Sequence, residues 1–216
     1  MAKIRIIGDV HGLYDSYIPT AQESDYSIQI GDMGFNYKPL EVLNENKHKF
    51  IAGNHDNMEM YPLDCHAVSN GDDFGISSIG GFKFFYVRGG FSVDWRMRQD
   101  HYLRTGYKSY WDNEELSVDR MYACLQYYKS FKPNFVITHE CPRSISKYVG
   151  DNEILRRFGY NPESFSTRTS ELLEAMFQAH QPKTWVFGHY HKDWNDVVNG
   201  TNFICLDELS CLDLEI

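Results

Sequence analysis

Five times along this chain a short β-prone run ends at a residue able to hold a metal ion or carry a proton, usually just after a glycine. The runs lead into Gly8-Asp9-Val10-His11-Gly12, Gly31-Asp32, Gly53-Asn54-His55-Asp56, Thr138-His139 and Gly188-His189-Tyr190-His191. In open α/β sheets, ligands bind in the crevice outside the carboxyl ends of the strands. One histidine after a strand is usually a structural histidine satisfied by hydrogen bonds. Here five of the nine histidines fall at such ends, which points to one shared site rather than to separate structural roles.

The stretches between these runs set the expected fold. Residues 4–7, 26–30 and 48–52 read as strands. Short helices are expected at about 14–23, interrupted by Pro19, and at 39–45, opened by Pro39. This β-α-β-α-β alternation predicts a parallel sheet with crossover helices. The character then changes. Runs at 75–79 and 82–88, split by glycines, predict an antiparallel hairpin. Residues 94–113 are polar and aromatic without clear period, and read as a functional loop or lid. Ser117 suits the N-cap of a helix to about Phe131, with a strand at 134–138 after it. A less regular segment to about Arg168, a helix at 169–180 and a strand at 184–187 follow. The tail runs at 195–198, 202–206 and 211–215 read as antiparallel strands. Neither a linker nor a repeat interrupts the chain, so the expectation is one α/β domain over 1–216 with a substrate loop at about 89–116.

A formal net charge of −9 argues against an extended nucleic-acid surface, whose affinity rests on Lys and Arg displacing counterions. It leaves room for a small phosphorylated ligand, because bound cations invert the local field. The five cysteines are scattered, without a CxxC pair. With no signal-like or membrane-spanning run, they read as reduced thiols of a cytoplasmic protein. Oligomeric state is left open.

The strand-end donors are oxygen and nitrogen without thiolate, a set that suits Mn²⁺, Fe²⁺, Ni²⁺ or Zn²⁺, with Mg²⁺ a further option, rather than a structural zinc site. Seven candidate ligands (Asp9, His11, Asp32, Asn54, His139, His189 and His191) exceed what one catalytic ion takes. Two ions sharing a carboxylate, about 3.5–4 Å apart, would use them. Manganese is the first expectation.

In order and placement these motifs resemble those of the calcineurin-like metallophosphoesterases. The resemblance implies a two-sheet sandwich flanked by helices. It implies that Asp9, His11, Asp32 and His191 hold one ion and that Asp32, Asn54, His139 and His189 hold the other, with Asp32 bridging. His55 would face the substrate. A metal-bridging hydroxide would attack phosphorus in line, with His55 as acid or charge stabiliser at the leaving oxygen. The Ser/Thr protein phosphatase branch carries Gly-Asp-x-Val-Asp-Arg-Gly at its second motif. Here Gly31-Asp32 is followed by Met33-Gly34-Phe35-Asn36, so Phe35 and Asn36 replace the Asp that steadies the catalytic His and the Arg that grips phosphate. The Gly-Asn-His-Asp motif is more typical of phosphodiesterase-like branches. The middle segment, from Arg88-Gly89-Gly90-Phe91-Ser92 to Glu114-Glu115-Leu116-Ser117, is similar to one in small bacterial and phage-encoded members. There Arg96, Arg98 or Arg104 is a candidate replacement for the phosphate-binding Arg, with Trp111 or a tyrosine packing on substrate. The orienter of His55 is open between Asp56 and a residue of that segment.

The leading functional expectation is hydrolysis of a small or medium phosphorylated compound. The alternatives are a phosphodiesterase acting on cyclic nucleotides or nucleic-acid ends, and a non-catalytic interaction scaffold of the same fold.

Overall fold

Along a strand, successive side chains point to opposite faces, and the burial of these residues sorts the molecule into layers. In β1 (Lys3–Ile7), Ile4 and Ile6 turn inward while Ile7 turns outward. In β2 (Tyr26–Gln29), which precedes Ile30, Ile28 and Ile30 turn inward as well. They meet Phe84 and Tyr86 of β5 (Phe82–Val87), Ile137 of β6 (Phe135–Thr138) and Val186 of β7 (Thr184–Phe187). That shared interior joins two sheets face to face, at a spacing of about 10 Å for such packings. The computed structural model describes residues 2–215.

One sheet has the order β10 (Cys211–Glu215), β1, β2, β3 (His48–Phe50). The other runs β4 (Phe74–Ile79), β5, β6, β7, β9 (Thr201–Cys205), β8 (Trp194–Val198). Strands β1, β2 and β3 are parallel, as are β5, β6, β7 and β9, so each sheet gathers several carboxyl ends on one edge. On the outer face of the first sheet, Tyr17 and Ala21 of α1 (Tyr14–Gln22) cover Ile7. On the outer face of the second, α3 (Val118–Phe131) and α6 (Arg168–Ala179) place Cys124, Tyr128, Leu173 and Met176 over Phe85, Trp185 and Phe203. The protein is an α/β fold of two sheets flanked by helices.

The structure departs from the expectations in four places. The short helix expected at 39–45 is a 3₁₀ turn, Lys38–Val42, in which Leu40 is the buried residue. One buried side chain cannot anchor a longer helix. The segment 94–113, expected as loop, contains α2 (Trp95–Thr105), ended by Gly106 in the left-handed region at φ 74°. Its buried residue is Arg98, so no apolar period announces it. The irregular stretch before Arg168 holds α4 (Arg143–Val149) and α5 (Asn152–Arg157). The tail strands divide between the sheets: β9 pairs antiparallel with β8 and parallel with β7, while β10 returns to pair antiparallel with β1.

Candidate metal centre and active site

Each candidate ligand lies just past a strand of one of the two gathered edges, and the loops that carry them are stitched together by backbone hydrogen bonds. Val10 N–H and His11 N–H donate to Asp32 O at 3.0 and 2.8 Å, Gly188 N–H to His139 O at 3.0 Å, and Gly89 N–H to Ala52 O at 2.7 Å. Asp56, fully buried, closes the β2 and β3 loops on each other. Its carboxylate accepts from the backbone N–H groups of Asp32 (2.9 Å), Met33 (3.3 Å), Gly34 (3.3 Å) and Gly53 (2.7 Å), and from Tyr37 Oη (3.1 Å). The glycines that precede the ligands answer to space. A Cβ on Gly53 would overlap Asp32 Oδ1 and His139 Nε2, and one on Gly188 would overlap Asp9 Oδ1. Four of the candidate ligands hold left-handed backbone: His11 (φ 48°), Asp32 (φ 60°), His189 (φ 71°) and His191 (φ 48°). Non-glycine residues seldom adopt it, and such strain gathers at functional sites.

The side chains converge. His11 Nε2 lies 3.0 Å from His191 Nε2, 3.6 Å from Asp32 Oδ2 and 3.8 Å from Asp9 Oδ2; His191 Nε2 is 3.4 Å from Asp9 Oδ2. His139 Nε2 lies 3.2 Å from Asp32 Oδ1 and 3.0 Å from Asn54 Oδ1. Its Nδ1 is 3.1 Å from Ile30 O, a bond that fixes the ring and directs Nε2 at the cluster. Asp32 thus faces both groups. His189 differs: its backbone N–H donates to Asp9 at 3.1 Å, while its ring packs edge-on to His139 with centroids 5.0 Å apart.

The charge balance of this cluster asks for cations. Asp9 and Asp32 are 0 and 1% exposed, and among the described residues no Lys or Arg pairs with either; their side-chain partners are imidazoles, joined by the backbone N–H groups of His189 on Asp9 and His55 on Asp32. Burial would raise Asp32, but His139, His55 and His11 outweigh it and hold the carboxyl well below its usual range. Burial would lower His139, yet Asp32 and Asp9 push it up to about 10. Burial, reinforced by His139, lowers His189 to about 3 and keeps it neutral. Buried carboxylates of this kind are stable only when compensated, and oxygen and imidazole donors without thiolate fit divalent ions.

His55 borders the cluster. Its backbone N–H donates to Asp32 Oδ1 at 2.6 Å, and its ring faces Phe35 with centroids 6.4 Å apart. Arg98 Nη2 lies against the ring edge, 2.9 Å from Nδ1 and closer still to Nε2. Arg98, 7% exposed, is itself held by Asp94 at 2.9 Å and by Ser109 O at 3.1 Å. A cleft of about 540 Å³ opens here, its walls including Phe35, Met97, Arg98, Arg104 and Tyr107. A second, of about 430 Å³, lies towards His11 and Asn36 and shares Phe35, His55 and Tyr107.

The other substrate candidates separate from this group. Arg104 reaches the cleft rim and donates to Asp100 O at 3.2 Å. Arg96 is exposed over the ring of its neighbour Trp95. Trp111 is 5% exposed and packs on Phe35 at 5.5 Å, inside the core. Asp56 is turned into the loop backbone, so the group touching the His55 ring comes from the middle segment. Three supporting residues were given no individual role by the sequence reading. Gln29 Nε2 donates to Gly8 O at 3.2 Å and to Gly31 O, while Ser92 and Glu114 form a buried chain behind Asn54. Burial pushes Glu114 up to about 8, opposed by the Ser92 and Trp111 N–H hydrogen bonds and by Arg98; cations nearby would favour its ionised form. Polar residues inside a strand or just before a helix were the available signal for these three.

The sequence profile described as calcineurin-like phosphoesterase matches residues 2–193. No protein of the curated set matches the chain in sequence. Among solved structures, a dimetal phosphatase from Danio rerio is similar at TM-score 0.53 and 12% identity, over 97% of this chain and 88% of that one. Phosphopantetheinyl hydrolase from Mycobacterium tuberculosis is similar at TM-score 0.50 and 13% identity, over 95% of this chain and 89% of that one. At such identities the likeness is one of fold.

Proposed function

The chain belongs to the calcineurin-like phosphoesterase family, and from that membership and the site we propose that it hydrolyses a small or medium-sized phosphate ester at a dinuclear centre. As a member it is a metal-dependent phosphoesterase acting on phosphorylated substrate. In our reading Asp9, His11, Asp32 and His191 hold one ion, and Asp32, Asn54, His139 and His189 the other, with manganese the first candidate. When bound, the two ions supply Lewis-acid charge to the phosphoryl oxygens and acidify a water.

The observation that carries this reading is the pair of buried carboxylates, Asp9 and Asp32, which have imidazoles and no Lys or Arg as side-chain partners among the described residues. The chain's own residues do the rest. Arg98, fixed by Asp94 and Ser109, provides the cationic group that Asn36 no longer supplies. His55 stands between that guanidinium and the cluster, where it can hydrogen-bond the leaving oxygen. Phe35, Met97 and Tyr107 offer apolar surface to the leaving group and exclude water from it.

One observation favours a phosphodiester as the second reading: clefts open on both sides of His55, so two ester substituents have room. No helix among the described residues is long and apolar enough to cross a membrane.

The test is a substrate panel with Mn²⁺ comparing nitrophenyl phosphate, bis-nitrophenyl phosphate, cyclic nucleotides and a phosphopeptide. Turnover of the monoester above the others is expected, and Asp32→Ala should lose bound metal and activity together. Preferential cleavage of the diester would replace the first reading with the second. Bound metal without turnover on any substrate would leave the interaction scaffold.

A further inference from the structure

An asparagine side chain has two chemically different ends, and only its oxygen has a lone pair for a cation. Something must decide which end of Asn54 faces the cluster. Asn54 Nδ2 donates to Ser92 Oγ at 3.1 Å, while Oδ1 is turned to the His139 side. Ser92 Oγ in turn donates to Glu114 Oε2 at 2.6 Å, and Glu114 Oε1 accepts from Trp111 N–H at 3.2 Å. Asn54, Ser92 and Glu114 are 3, 2 and 3% exposed, so water does not compete for these bonds.

The direction of the chain follows from its far end. Trp111 N–H can only donate, and the Glu114 carboxylate, ionised once cations occupy the centre, offers it one oxygen. The other Glu114 oxygen takes the Ser92 hydroxyl hydrogen. That leaves on Ser92 Oγ a lone pair, which can accept from an amide N–H₂ but cannot satisfy an amide oxygen.

We propose that Ser92 and Glu114 are positioning residues that turn the Asn54 oxygen into the metal centre and so set the affinity of one of its two ion sites. The inference rests on Asn54 being a ligand, as in the function proposed above. Outer partners of this kind typically contribute about 10–100-fold to metal affinity.

The Glu114→Gln change is isosteric but has a single oxygen. With Trp111 N–H taking that oxygen, the Gln N–H₂ faces Ser92 Oγ, and the Ser92 hydrogen swings to Asn54. The amide is then driven to flip and present N–H₂ to the cluster.

The test is calorimetric titration of the metal-stripped full chain with Mn²⁺, with thermal melting in chelator as the check on folding. Glu114→Gln and Ser92→Ala are each expected to weaken one site about 10–100-fold and leave the other unchanged. Asn54→Ala should weaken that same site. Ser92→Thr keeps the hydroxyl and should bind as wild type. Should Glu114→Gln fail to fold, the Ser92→Ala and Ser92→Thr pair carries the comparison alone. Weakening in Asn54→Ala with wild-type binding in Glu114→Gln and Ser92→Ala would overturn the positioning role and leave the site assignment standing. Intact binding in Asn54→Ala would overturn the ligand assignment and the inference together.

Discussion

A guanidinium cannot accept a hydrogen bond, so whichever nitrogen of His55 faces Arg98 must offer a lone pair. Burial, helped by Arg98 and opposed by Asp32, lowers His55 to about 4, so the ring is neutral across the neutral range. Fixed positive charge at this edge of the site therefore resides on Arg98, and in the proposed function the touching imidazole and guanidinium would act as a unit. In this arrangement Arg98→Ala and His55→Ala should each lower kcat about 100-fold, the size expected for losing one preorganised donor. Metal content measured by plasma emission should stay unchanged in both. The double variant should lose little more than either single one, because groups that work as a unit are not additive. Losses that multiply, about 10,000-fold together on the same scale, would separate the two residues and return Arg98 to independent substrate binding.

At the scale of elements, α2 holds Arg98 against the His55 ring. It is tied down by the Asp94 pair and by Trp95 packing on Tyr110 at 5.8 Å, and little of it is buried. A proline in the middle of a helix removes a hydrogen bond and costs about 3 kcal/mol. In an element with so few buried contacts that cost is met by local opening rather than global unfolding. Gln99→Pro should therefore raise hydrogen exchange across 95–105 and lower kcat/KM at least tenfold by displacing Arg98, on the scale of misplaced catalytic groups. Mn²⁺ affinity and thermal midpoint should remain near wild type; a large fall in the midpoint would make α2 part of the global folding unit. The same element marks where the sequence stops being legible. Strands β1, β2 and β3 and the β4–β5 hairpin were readable because short apolar runs end at or near glycine, and the clustered Asp, Asn and His side chains because most of them directly follow such a glycine. Ser117 capping α3 was readable too, and its side chain does accept from Arg120 N–H. But α2 packs through an arginine, which leaves no apolar period. Trp111 reads equally well as a stacking platform or as core until Phe35 is seen against it. Ser92 and Glu114 lie 22 residues apart and acquire meaning only once both stand behind Asn54.

At the scale of the molecule, the chain closes on itself. Nothing in the local sequence of β10 says which sheet it joins, because its partner β1 lies at the opposite end of the chain. Pairing there also supports the first motif: Gly8 N–H donates to Ser210 O and Leu209 N–H to Asp9 O, both at 2.9 Å. The closure is fastened by Arg5, whose Nε and Nη2 meet Asp213 at 2.7 and 3.0 Å, with Lys3 Nζ at 2.8 Å from the same carboxylate. The Arg5 hydrogen bonds, aided by Lys3, hold Asp213 down at about 2 against the opposing effect of burial. A carboxyl with a native pKa below its unfolded value contributes stability that is full above about 4 and is lost as pH falls through about 2. Asp213→Asn, neutral at every pH, lacks that contribution throughout. In chelator its thermal midpoint should lie below wild type at pH 5, and the gap should close as pH falls from 4 to 2. Other carboxylates titrate in the same window, but they are common to both proteins and cancel in the difference. A gap that stays constant to pH 2 would show that the Asp213 charge contributes nothing to the closure, and that strand pairing alone holds β10 to β1.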